Sequence, residues 1–253
     1  MSDELVHLTI DAGIATITLD SPHNRNALSR QLVGELGDRL TSAAADSTVA
    51  AIVLTHTGGT FCAGADLSEA KEGGMATGTT ALLRLLRQIV ELPKPVVARV
   101  DGHVRAGGIG LVGACDIAVA SQRATFAFTE ARLGLAPAII SLAVLPRLRS
   151  RAAGRYYLTG EKFDGVTAAE IGLLTACAPD VDEALSGILD GLRAGSPQGL
   201  AESKRLTTQA VRAALETHGE EMVELSARLF ASEEAQEGMR AFLERRPPRW
   251  AAR

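Results

Sequence analysis

Glu130 is the residue of this chain best placed by its neighbours to move a proton. It is the only carboxylate in the mostly apolar stretch Phe126-Ala127-Phe128-Thr129-Glu130-Ala131-Arg132-Leu133-Gly134-Leu135. A carboxyl among phenylalanines and leucines is poorly solvated, which raises its pKa and suits general acid or base work near neutral pH. An ion pair with Arg132 or another arginine is the plainer reading. Upstream lie two glycine-containing loops, Phe61-Cys62-Ala63-Gly64-Ala65-Asp66-Leu67 and Gly102-His103-Val104-Arg105-Ala106-Gly107-Gly108-Ile109-Gly110-Leu111. Each follows a short apolar run that reads as a buried strand. Small residues there leave backbone N–H groups free to reach a ligand, and two donors on one carbonyl oxygen make an oxyanion hole. Two donors and one carboxylate point to enolate chemistry.

Each loop also has a purely structural reading. The first could be a tight strand-to-helix turn with Asp66 as its cap. The second could be close packing of a helix on a sheet, although N–H groups at a helix start also favour negative charge. Gly108-Ile109-Gly110-Leu111-Val112-Gly113 matches G-x-G-x-x-G, and Glu130 falls at the acidic spacing of a dinucleotide site. The context argues against that site. Seven residues separate the strand end at Val100 from Gly108, and the following helix is cut short before Ile117. His103 and Arg105 could line a pocket or be solvated loop residues. Cys62 has only His56 as a nearby partner and reads as a small buried residue rather than a nucleophile. Gly-x-Ser-x-Gly is absent, which weighs against a serine hydrolase of the α/β type.

The elements that must position these residues follow from periodicity. Val6 to Ile10 and Ile14 to Leu19 alternate around Asp11-Ala12-Gly13, a β-hairpin signal. Ser29 caps a helix to about Ala45, with Leu32, Val33, Leu36, Leu40 and Ala43 on one face. Strands are predicted at Ala50 to Thr55, Val96 to Val100 and Ile117 to Ala120. Helices are predicted at Thr79 to Glu91, after the Gly73-Gly74 break, and at Leu111 to Ala114. This alternation gives an α/β fold of βα units with a covered sheet. After Gly195-Ser196-Pro197 the chain is almost all good helix formers, read as helices near 198–217, 219–231 and 233–245. Three amphipathic helices there make an oligomer interface or packing on the same chain the two options.

The 253 residues are 46% hydrophobic and 22% charged, enough for a sizeable core. A net charge of −4 with mixed signs argues against a nucleic-acid or anionic-membrane binder. The three cysteines are far apart, with no CxxC and no zinc spacing, which points to a reducing compartment and no structural metal. The start, Met1-Ser2-Asp3-Glu4, lacks a signal-peptide core, and no apolar run reaches membrane-spanning length. The expectation is a cytoplasmic α/β protein.

Several motifs in order resemble the crotonase superfamily of enoyl-CoA hydratases and isomerases. They are Asn24-Arg25-Asn26-Ala27-Leu28, the two loops, Lys94-Pro95-Val96-Val97-Ala98, Ala114-Cys115-Asp116-Ile117, and Glu237 to Pro247. The resemblance implies a spiral of ββα units over 1–195 and a C-terminal helical region over 196–253 that builds trimers, often paired into hexamers. It implies an acyl-CoA ligand, with coenzyme A as part of the substrate and no separate cofactor. Ala65 and Gly107 match the donors to the thioester oxygen. Arg25, Ala27, Ala63, Asp66 and Leu67 match the coenzyme A contacts, and Phe242, Arg245 and Arg246 match residues that approach its phosphates from a neighbouring subunit. Typical hydratases carry a second catalytic glutamate where this chain has Gly110, and many relatives carry a glycine where it has Ala106. The segment from Thr129 to Ser141 resembles the methylglutaconyl-CoA hydratase branch, whose members share that glycine. The resemblance therefore implies a hydratase, a carbon–oxygen lyase, with a Δ3,Δ2-enoyl-CoA isomerase or a non-catalytic acyl-CoA binder as alternatives.

Overall fold

The computed structural model describes residues 4–72 and 74–252. Met1, Ser2, Asp3 and Gly73, named above in the reading of the N-terminus and of the Gly73-Gly74 break, lie outside the described residues, as does Arg253. The chain opens with β1 (Val6–Asp11), β2 (Ile14–Leu19) and α1 (Arg30–Ala45). It continues with β3 (Ala51–His56), β4 (Thr60–Cys62) and α2 (Gly74–Glu91), then β5 (Val96–Val100), β6 (His103–Arg105) and α3 (Gly107–Ala114). Next come β7 (Ile117–Ser121), β8 (Thr125–Ala127), α4 (Ala138–Val144), α5 (Ser150–Thr159), β9 (Phe163–Asp164), α6 (Gly165–Glu170) and β10 (Ala176–Ala178). The chain closes with α7 (Val181–Ala194), α8 (Pro197–Thr207), α9 (Gln209–Phe230) and α10 (Glu233–Leu243). Val6–Asp11 pairs with Ile14–Leu19 as the alternation requires, and Ser29 Oγ accepts the Leu32 N–H as the cap of α1.

Two strands alternate with one helix three times, and from β3 onward the two strands of each pair enter different sheets. β1, β2, β3, β5, β7 and β10 form a six-stranded sheet, parallel except for the β1–β2 hairpin. β4, β6, β8 and β9 form a second, four-stranded sheet in which β4, β6 and β8 are parallel. The short crossings between sheets stack on one another. The His103 N–H donates to Gly59 O at 3.1 Å, and a Cβ on Gly102 would stand 2.6 Å from that same oxygen. Only glycine fits there.

The six-stranded sheet is covered on both faces, which is why its strands read as continuous apolar runs. In β3, Ile52 and Leu54 face the main core with Leu32, Leu36, Leu86 and Ile89, whereas Ala51 and Val53 face Val181 and Leu185 of α7. Val33, expected on the core face of α1, is half-buried at its edge. The C-terminal segmentation differs from expectation. The helix predicted over 198–217 ends at Thr207, and one 22-residue helix, α9, runs straight through Gly219. Gly219 is tolerated because it lies close against Leu83 of α2. Val211 and Leu215 enter the main core, so at least α9 buries against its own chain.

A buried charge cluster fastens α8. Lys204 Nζ donates to Ile89 O at 2.7 Å and Lys94 O at 2.9 Å, and meets Asp116 Oδ2 at 3.0 Å. Burial pushes the Lys204 ammonium down and the Asp116 carboxyl up, each against the pull of the other. Such a pair fixes geometry more than it adds stability.

Candidate active site

Three parallel neighbours in the four-stranded sheet deliver the three parts of the site. The first loop follows the carboxyl end of β4, Gly107 follows β6, and Glu130 follows β8. The carboxyl ends of parallel strands are where α/β sheets place ligands. The topology therefore gathers residues that the sequence scatters over some seventy positions.

The first loop is aligned by the segment before α1. The Ala63 N–H donates to Arg25 O at 3.1 Å, and the Leu28 N–H donates to Gly64 O at 2.8 Å. Arg25 and Asn26 both sit in the left-handed region, with φ of 60° and 52°. Buried Asn26 holds that bend. Its Oδ1 accepts the Ser21 N–H at 2.6 Å, and its Nδ2 donates to Thr57 O at 3.2 Å and Thr60 O at 2.8 Å. Asn26 is a positioning residue that sequence reasoning missed. The visible signal was an asparagine in a tight turn, the residue that best tolerates positive φ. Asp66 does cap: its Oδ1 accepts the Ser68 N–H at 3.0 Å, and its Oδ2 accepts from Asn24 Nδ2 at 3.2 Å. Arg25, Ala27, Ala63, Ala65, Asp66 and Leu67 thus come together on one ribbon, with Arg25 and Ala65 exposed and Ala27 buried.

The second loop abuts the first. A Cβ on Gly64 would lie 3.5 Å from Gly107 N, and one on Gly107 would lie 3.8 Å from Gly64 Cα. α3 starts at Gly107, four residues before the predicted Leu111, so Gly107 and Gly108 form its first turn. Among the described residues neither the Ala65 nor the Gly107 N–H meets a protein acceptor. Ala106 sets the direction of the Gly107 amide, with φ 45° and ψ −119°, a conformation that favours glycine.

Glu130 opens a tight 3-10 turn, Glu130–Leu133, and is buried. Its Oε2 has no hydrogen-bond partner among the described residues. Burial pushes its carboxyl up to about 7, opposed only by its own backbone N–H. The expected alternative, a pair with Arg132, is not formed: Arg132 Nε donates to Thr159 O at 2.9 Å instead. Gly110 lies under α4, where a Cβ would stand 2.5 Å from Ile140 Cγ2. An apolar side chain therefore fills the space a second carboxylate would need. Tyr157 of α5, also missed by sequence reasoning, packs on the segment that leads into Glu130, its ring centroid 4.4 Å from that of Phe128.

Other candidates have structural partners. His56 accepts the Asp101 N–H at Nε2, 3.1 Å, and donates from Nδ1 to Thr57 O, 3.2 Å. Cys62 is fully buried, and its thiol is pushed up to about 12 by burial, which removes it as a nucleophile. Exposed His103 bonds Thr125 Oγ1 at 2.9 Å. Arg105, expected in a pocket or in solvent, does neither. It is half-buried and braces β8 by donating to Thr125 O at 2.6 Å.

At the C-terminus α10 docks against the Glu130 turn. A Cβ on Gly238 would stand 2.5 Å from the Leu133 carbonyl carbon. Phe242 lies in the last turn of α10 and Arg245 just past its end, both exposed. Arg246 is committed to Glu237, bonding both its oxygens at 2.8 and 3.1 Å and holding that carboxyl at about 2. A polar cleft of about 430 Å³ opens among Arg99, Asp101, Arg123 and Asp182, but it shares no lining residue with the loops or Glu130. Its two arginines are already paired with its aspartates.

Residues 9–253 match the family model described as enoyl-CoA hydratase/isomerase. The fold superposes with a TM-score of 0.92 on the crystal structure of an enoyl-CoA hydratase from Mycobacterium avium, 55% identical, covering 98% of this chain and 100% of that one. It superposes at 0.86 on carnitinyl-CoA hydratase from the same species, 29% identical over the full length of both. In sequence the chain is 30% identical to the 2,3-dehydroadipyl-CoA hydratase of Escherichia coli over 95% of this chain and 96% of that protein. Two abutting loops, one buried glutamate and a match along nearly the whole chain agree: it belongs to the enoyl-CoA hydratase/isomerase family, the crotonase superfamily.

Proposed function

We propose that this chain hydrates a 2-enoyl-CoA thioester, with Glu130 as the sole acid/base residue. The observation that carries the reading is the delivery of Ala65, Gly107 and Glu130 by the carboxyl ends of three adjacent parallel strands. The thioester oxygen accepts both N–H groups, which stabilise the enolate as it forms. In comparable holes each donor contributes roughly 2.7–4 kcal/mol to the barrier. Glu130 takes a proton from water as the hydroxyl adds at Cβ, then returns a proton to Cα. Arg25, Ala27, Ala63, Asp66 and Leu67 line the coenzyme A side. Phe242, Arg245 and Arg246 approach the CoA phosphates of a neighbouring subunit in a homotrimer or dimer of trimers built by 196–253, and no separate cofactor takes part. A branched or carboxylated acyl group such as 3-methylglutaconyl-CoA is the substrate class we favour. Relatives named for 2,3-dehydroadipyl-CoA and carnitinyl-CoA support an acyl chain bearing a further polar or charged group. A cytoplasmic setting fits three free cysteines.

Purified protein offered a panel of 2-enoyl-CoAs, 3-methylglutaconyl-CoA included, should release 3-hydroxyacyl-CoA. Absence of turnover, or full turnover by Glu130→Gln, sinks the reading. Ile140 filling the space over Gly110 favours a second reading, a Δ3,Δ2-enoyl-CoA isomerase, which needs only one proton shuttle. Heavy-oxygen water separates the two, since only hydration places solvent oxygen in the product.

A further inference from the structure

α5 is fastened to the Glu130 turn at its carboxyl end. Arg132 Nε donates to Thr159 O, and Gly160, at φ 60°, lies against Phe128 O and Arg132. This lays the Tyr157 ring on Phe128, two residues from Glu130. The Tyr157 hydroxyl is buried and has no hydrogen-bond partner among the described residues, and the same holds for Glu130 Oε2. Burial first, and then the Glu130 charge, keep the phenol from ionising. The two side chains do not bond to each other. Buried donors and acceptors left unpaired cost stability, and folded proteins keep few of them. Two such atoms on segments packed together, one a phenol that can donate and one a carboxylate that can accept, call for a small group able to do the reverse toward each. A water molecule or an alcohol has that character.

We propose that Tyr157 is a catalytic residue: its O–H donates to the oxygen that enters at Cβ, while Glu130 Oε2 accepts that oxygen's proton. The inference rests on the hydratase reading. In the step, Glu130 breaks a water O–H bond, the oxygen forms a bond to Cβ, and the π electrons move to the thioester oxygen held by Ala65 and Gly107. The proton on Glu130 then goes to Cα. Tyr157 stays protonated throughout and orients the water, the work that a second carboxylate would share if Ile140 did not fill the space over Gly110. It also selects for a neutral oxygen at Cβ.

Tyr157→Phe tests this, because it keeps the ring stacked on Phe128 and removes one oxygen. With trans-2-butenoyl-CoA, kcat for hydration should fall roughly 10- to 100-fold. Exchange of the Cα protons of butyryl-CoA with deuterated water should stay within about twofold of wild type, because that reaction needs Glu130 and both backbone donors but no oxygen at Cβ. The melting temperature should not fall. Wild-type hydration with an unchanged Tyr157→Phe rate overturns the inference and leaves the hydratase reading intact. Equal losses of hydration and exchange, with a lower melting temperature, also overturn it by showing a structural role. A wild type that hydrates no enoyl-CoA overturns the reading itself and the inference with it.

Discussion

A carboxyl held near pKa 7 ties activity and stability to the same proton. The folded Glu130 binds its proton more tightly than an unfolded carboxyl at 4.5 does, so between those values the native state carries more protons and stability falls as pH rises. Full ionisation costs on the order of 3 kcal/mol. Glu130→Gln should therefore melt higher than wild type at pH 8, with the gap closing below about pH 4.5 in calorimetric scans. The same variant should lose roughly 10²- to 10⁴-fold in hydration rate, and the acidic limb of the wild-type kcat/KM profile should rise through about 7. Equal melting at both pH values would show that Glu130 is not desolvated. Ala106 supplies a second check at this scale. Its positive φ carries strain that glycine avoids, so Ala106→Gly should raise stability by about 1 kcal/mol in denaturant titrations despite the added freedom of its unfolded chain.

Among the elements, α4 decides how many carboxylates the site holds. Its Ile140 occupies the space over Gly110, so Gly110→Ala overpacks the junction of α3 and α4 and should cost about 1–3 kcal/mol. Ile140→Ala alone leaves a cavity and should cost about 2–5 kcal/mol. The double variant should recover part of the sum, and strictly additive unfolding energies would show that the two residues do not touch. α10 exerts control of another kind, because Gly238 lets it lie directly on the backbone that carries Glu130. The helix break that the sequence placed near 218 fell at Thr208 for a related reason. Gly219 sits within α9 because packing against α2 outweighs its weak helix propensity.

For the whole molecule, the apolar surface left on the helices matters most. Leu158, Leu206, Phe242 and Leu243 are each more than half exposed, three of them on the C-terminal helices. Sedimentation should show three chains, or six, per particle, and a single-chain mass at micromolar concentration would refute the proposed assembly. Sequence periodicity was enough for the hairpin, α1 and the continuous apolar strands, because local pattern and burial agree there. The short strands β4, β6, β8 and β9 were not legible. Two or three residues carry no period, and the pairing of β4 with β6 goes with the contact of their crossings at Gly59 and Gly102.

The residue types by themselves determined the chemistry on offer: small residues that free backbone donors in two loops, and one glutamate in an apolar stretch. These depend on side-chain size and polarity, which the sequence states directly. Only the tertiary structure decided that the loops abut, that Arg132 leaves Glu130 unpaired, that Ile140 fills the second carboxylate's place and that Tyr157 packs on Phe128, two residues before Glu130. Each of those depends on contacts between residues far apart in the chain, and such contacts exist only once the sheets have brought β4, β6 and β8 side by side.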